Sequence, residues 1–122
     1  MVLIDGLSFA HKEGTPIFLN FNWKISSGER WAVTGPSGCG KTTLLYLLAG
    51  LRTPASGKIT FTENHLRKGR ALTGLILQDY GLLPWATAFE NVALGLKIRG
   101  VGKQAVEQIT RQWMVELGID SV

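Results

Sequence analysis

An α/β fold is what this sequence predicts, and three observations carry the prediction. The consecutive apolar residues Trp31-Ala32-Val33 lead without a gap into the turn Gly35-Pro36-Ser37-Gly38-Cys39-Gly40, and that turn into the leucine-rich stretch Lys41 to Ala49. Ahead of this junction lie two loosely alternating segments of strand type, and behind it two segments with apolar residues at helical spacing. The length, 122 residues, suits one small domain or part of a larger one and excludes a two-domain enzyme. With 45% hydrophobic and 18% charged residues, the chain has the apolar material for a core and is not a disordered tail.

Taken in order, Val2 to Phe9 reads as a strand, His11 to Pro16 as a breaker-rich loop, and Ile17 to Ile25 as a second strand carrying Phe18, Phe21, Trp23 and Ile25. Ser26 to Glu29 makes a turn. Arg30 to Thr34, with its unbroken apolar centre, fits a central strand covered on both faces. Leu44, Leu45, Leu47 and Leu48 then suit a largely buried helix that Gly50 ends. Lys58 to Thr62 and Thr73 to Leu77 read as further strands, and Thr87 to Ile98 and Lys103 to Leu117 as helices. In the last of these Val106, Ile109, Trp113 and Leu117 are expected to form the packed stripe.

The net charge of +4 is spread along the chain, apart from the cluster Arg67, Lys68 and Arg70. No basic stripe interleaved with aromatics is present, so nucleic acid is not the expected partner and the cluster reads as a solvated loop. A single cysteine, Cys39, rules out an internal disulfide, and no Cys and His spacing suits a structural metal. The first residues lack a basic region followed by a long apolar run, so neither a signal peptide nor a membrane span is expected.

The chemistry lies at Gly35 to Thr42, which matches G-x-x-x-x-G-K-[ST] between a predicted strand and a predicted helix. Glycines at 35, 38 and 40 let the backbone approach a phosphate closely and turn its N–H groups inward, with Ser37 and Cys39 between them. The helix N-terminus adds partial positive charge. Lys41 is placed to reach terminal phosphates, the Thr42 hydroxyl to ligate magnesium, and Thr43 to make a weaker phosphate contact. Cys39 reads as a small loop filler, since nothing around it suggests a nucleophile.

A phosphate loop leaves the reaction open. Gly35 to Leu45, continued by Gly50-Leu51, Pro54 and Gly57, resembles the Walker A segment of ATP-binding cassette (ABC) proteins. Ile76-Leu77-Gln78-Asp79 resembles that family's glutamine loop, and Leu82-Leu83-Pro84-Trp85 is similar to importers of the nitrate, sulfonate and taurine type. The resemblance covers essentially the whole chain but only the N-terminal part of one cassette domain. It implies an incomplete P-loop core, with an antiparallel β region before it and the start of a helical subdomain after it.

The same resemblance implies ATP and Mg²⁺ as ligands, with Gln78 sensing the terminal phosphate and binding the metal through its amide oxygen, a dual capacity the side chain possesses. His11 takes the place of the aromatic residue that stacks on adenine in the family; it presents less ring surface, and Phe9 is the alternative. Further implications are a second cassette as dimer partner, a transmembrane permease received near Pro84 and Trp85, a solute-binding protein, and a cytoplasmic, peripheral position at the inner face of the membrane. The family's LSGGQ signature, Walker B acid pair and switch histidine are not found in these residues. Hydrolysis by this chain alone is therefore expected to be very weak and its isolated stability marginal. The alternative reading is a non-catalytic nucleotide-binding fragment. A P-loop kinase or GTPase is less favoured, because no N-K-x-D guanine motif occurs.

Overall fold

The computed structural model describes residues 1–11, 14–61, 66–67, 70–71 and 73–121, with backbone alone at 66–67 and 70–71. They form two compact units, Met1–Leu75 and Ile76–Val122. In the first unit β1 (Val2–Phe9), β2 (Phe18–Ile25) and β3 (Ser56–Phe61) make an antiparallel sheet in the order β2-β1-β3. Ile4, at the centre, sits opposite Trp23 on one side and Ile59 on the other. The β1–β3 register shifts between Asp5 and Ser8. There Gly57 has φ +79°, and a Cβ on it would lie 2.4 Å from the Gly6 carbonyl, so only glycine permits the approach of the two backbones.

The core forms where α1 (Lys41–Leu48) lies on this sheet: Ile4, Leu7 and Phe9 of β1 pack with Leu44 and Leu47. Burying each aliphatic side chain here contributes roughly 2 kcal/mol. Phe18, Phe21, Trp23 and Ile59 flank the cluster. The helix is buried along one face only, since Leu45 remains 46% exposed. After it, β4 (Leu66–Arg67) and β5 (Arg70–Ala71) form a minimal antiparallel pair. The expected solvation of the Arg67, Lys68 and Arg70 side chains lies outside the described residues.

Two predicted strands are not formed: residues 30–34 and 73–77 join no ladder with the described strands. A buried parallel strand needs neighbours on both edges to satisfy its backbone, and the three-stranded sheet is built wholly from antiparallel pairing. Trp31 takes another partner, edge-on against Trp23 with ring centroids 5.4 Å apart, while its Nε1 donates to Glu29 at 3.0 Å. The Glu29 carboxylate is held below the usual carboxylate range by that bond first and by the Ser26 N–H second.

In the second unit α2 (Ala88–Ile98) packs on α3 (Lys103–Glu116). α2 opens with a capping box, in which the Glu90 N–H donates to Thr87 Oγ1 and the Thr87 N–H to Glu90 Oε2. The buried stripe of α3 is Val106, Thr110 and Met114. This corrects the expected stripe: Val106 is retained, Ile109 is half-buried, and Trp113 and Leu117 are exposed. The seam follows i, i+4 spacing and accepts a threonine, which an apolar count passes over. The Thr110 hydroxyl is fully buried without a hydrogen-bond partner.

Candidate functional site

The glycine turn enters α1 through Gly40, whose φ of +102° places it in the left-handed region as the N-cap. A Cβ there would lie 2.5 Å from Ile17 Cγ2 and 3.3 Å from the Phe18 ring, so the turn is seated directly against the start of β2. No side chain caps this helix end. The amides of residues 41–43 therefore have no partner within the helix, and the first helical bond runs from the Leu44 N–H to the Gly40 carbonyl at 2.8 Å. Uncapped N–H groups at a helix start favour an anion.

Lys41 folds back over the turn. Its Nζ donates to the carbonyls of Gly35 at 2.8 Å and Pro36 at 2.7 Å, and lies 3.8 Å from Cys39 Sγ. The ammonium is thus suspended across the mouth of the loop by two neutral acceptors. A phosphate oxygen, being charged, is the stronger acceptor for it. Ser37, Gly38, Cys39 and Thr42 are exposed, whereas Thr43 is buried beneath the helix start, which sets its side chain apart from the outward-facing Thr42.

His11 is exposed at the end of β1 and meets the Phe9 ring edge-on, with centroids 5.5 Å apart. Phe9 is 8% exposed and lies in the core, with the Arg52 guanidinium 6.0 Å from its ring centre. Phe9 therefore supports His11 from below and has little free face to offer a ligand. His11 and the loop belong to the first unit; Gln78 belongs to the second, where it is exposed.

Beyond Gln78, Tyr80 adopts φ +63° and Gly81 follows with +63°. The turn at residues 83–87 is tied to α2 by Asn91, which the motif reading passed over. Asn91 Oδ1 accepts from the Leu83 N–H at 2.8 Å, and its Nδ2 donates to the carbonyls of Leu83, Ala86 and Thr87 at 3.2, 3.1 and 3.0 Å. The capping box Thr87-x-x-Glu90 was a readable signal for the helix start beside it. Among the described residues no cluster of His, Cys, Asp and Glu suits a metal, and no helix is long and apolar enough to cross a membrane.

Residues 18–122 match the ABC transporter family. The taurine import ATP-binding protein TauB of Pseudomonas aeruginosa (strain UCBPP-PA14) is 40% identical over 114 residues, covering 93% of this chain and 43% of that protein. TauB of Escherichia coli O157:H7 is 38% identical over 112 residues, 92% of this chain and 44% of that one. Among solved structures, the dimeric MJ0796, a bacterial ABC transporter cassette, superposes with a TM-score of 0.77 at 28% identity, covering 95% of this chain and 55% of that chain. The chain thus spans less than half the length of these curated relatives. A phosphate-loop helix packed on an antiparallel sheet, in a sequence this similar, places the chain in the ABC transporter family.

Proposed function

We propose that this chain is the nucleotide-binding front portion of the ATPase subunit of an ABC importer, and that in the complete cassette it binds Mg-ATP whose hydrolysis drives solute uptake. The Lys41 ammonium held over a turn whose helix-start amides are uncapped carries this reading. Lys41 exchanges two carbonyls for phosphate oxygens, the amides of 41–43 receive the remaining charge, and His11 offers its ring to adenine. The exposed Thr42 hydroxyl and the Gln78 amide oxygen are hard oxygen donors that fit Mg²⁺, which would neutralise phosphate charge when bound. Gln78 reports the presence of the terminal phosphate.

The partners in this reading are a second cassette, a permease that accepts the Pro84–Trp85 turn, and a solute-binding protein of the same system. The subunit sits on the cytoplasmic face of the membrane through the permease. The similarity to taurine import ATP-binding proteins supports an importer with a taurine-like sulfonate as solute class. The dimeric form of MJ0796 supports cassette pairing. Within these residues no acid pair follows an apolar strand in Walker B fashion, so a binding role without turnover is the second reading for the chain as it stands.

Calorimetric titration with Mg-ATP and Mg-GTP tests the proposal. ATP should bind more tightly than GTP, and Lys41→Ala should weaken ATP binding about 10- to 100-fold, the worth of a charge-assisted contact to phosphate. Preference for GTP, or unchanged ATP affinity in Lys41→Ala, contradicts it.

A further inference from the structure

The glycine turn holds its own shape only weakly. Its glycines at 35, 38 and 40 all take positive φ, a freedom that lets amides turn toward a phosphate and equally lets an empty turn open. Within the turn the Cys39 N–H reaches the Pro36 carbonyl at 3.4 Å, and the two Lys41 bonds are those a phosphate would replace. A Cβ on Gly38 would meet nothing within 4 Å, and one on Gly35 would lie 2.8 Å from Cys39 Sγ, which moves with the turn. Gly40 differs, because its neighbours, Ile17 Cγ2 and the Phe18 ring, come from another element. Ile17 is itself held. Its N–H donates to the Phe9 carbonyl at 2.8 Å, and Phe9 lies in the core and pairs with Phe18 across the sheet. Branching at Cβ restricts χ1, so the Cγ2 methyl is fixed by the backbone that carries it.

We infer that Ile17 is a positioning residue for the phosphate cradle: its Cγ2 methyl, standing against Gly40, keeps the turn in the shape that aims the amides of 41–43 before the ligand arrives. The inference rests on the proposed nucleotide site and names a residue outside the loop motif that prepares it. Preorganising a loop removes its ordering cost from the binding step. Substitutions at 17 separate this role from simple burial. Ile17→Val keeps the branch at Cβ and loses one carbon, whereas Ile17→Leu keeps the volume and moves the branch out to Cγ. Burial alone ranks valine as the poorer replacement. The positioning role ranks leucine as the poorer.

The test reads calorimetric affinities of the full chain for Mg-ATP and for magnesium tripolyphosphate, which carries no nucleoside, beside urea midpoints for each variant. Ile17→Val should stay within about twofold of wild type for both ligands, and Ile17→Leu should weaken both about tenfold although its urea midpoint lies closer to wild type. Without ligand, the amide NMR signals of Gly38, Gly40 and Lys41 should move in Ile17→Leu and hold in Ile17→Val. In an Ile17→Ala background, Gly40→Ala should weaken tripolyphosphate binding by a smaller factor than in wild type, because the methyl its Cβ would strike is gone. Weaker binding by Ile17→Val than by Ile17→Leu overturns the positioning role while the nucleotide site stands. So does loss of Mg-ATP affinity with tripolyphosphate affinity unchanged, which would make Ile17 a contact of the nucleoside. A wild-type chain that binds neither ligand overturns the proposed site and this inference with it.

Discussion

The two loops that carry the candidate chemistry are built on opposite principles. The turn from Gly35 to Gly40 is shaped by glycine conformations and by a lysine bonded to its own carbonyls, and it leaves amides at the start of α1 open. The turn from Leu83 to Thr87 is shaped by side chains, with Asn91 and Glu90 closing its backbone bonds and leaving apolar groups outside. Open donors suit a charged small ligand; a closed backbone with an outward tryptophan suits a protein partner. The contrast teaches that a loop's function can be read from which of its groups the fold leaves unsatisfied.

The largest effect should come from breaking the glycine-shaped loop. Gly40→Ala forces a Cβ to within 2.5 Å of Ile17 and imposes φ +102° on a residue with a side chain. It should cost about 2 kcal/mol of stability in the first unit, read by urea unfolding, and should also weaken Mg-ATP binding. A neutral Gly40→Ala would mean that the close seat against β2 is not required.

A smaller effect, of opposite sign, should come from the side-chain-built unit. Thr110→Val replaces a fully buried, unpartnered hydroxyl with a methyl group. The second unit should gain about 1 kcal/mol, seen as slower hydrogen exchange in α2 and α3. Destabilisation would show that the hydroxyl has a bonding role.

The smallest effect is a pH dependence at the entrance of α2. The Glu90 carboxyl is held below its usual range, first by the Thr87 N–H and then by the Thr87 hydroxyl. A depressed folded-state value stabilises the helix start at pH values above the ordinary carboxylate range, and this support is lost as pH falls through the depressed value. The protection of the Thr87 amide, the exchange rate of an unstructured amide at the same pH divided by its own, should therefore fall on acidification, and Glu90→Gln should flatten that response. The loop at residues 35–40 contains no carboxylate, so its amides should show no matching change.

The comparison also marks what the sequence made legible. The phosphate loop could be read because its chemistry requires particular residues at fixed spacing, and β1, β2, β3, α2 and α3 because local periodicity dictates them. The strand over 30–34 did not form because a run of apolar residues signals a need for burial without specifying a partner; Trp31 meets Trp23 edge-on yet stays exposed, as does Val33. The α3 stripe shifted because a buried threonine stands where an apolar count looks for a leucine or tryptophan. Asn91 was missed because its four bonds depend on how the preceding turn curls back over α2, which no spacing rule encodes.

The central claim is that residues 35–43 form the phosphate cradle while residues 83–87 are independently built. Amide NMR shifts recorded as Mg-ATP is added test it most directly. The account predicts that the largest shifts fall on Gly35 to Thr43, and that the amides of Leu83, Ala86 and Thr87 hold their positions. Shifts centred on the 83–87 turn, or none at Gly38, Gly40 and Lys41 under saturating Mg-ATP, would contradict it.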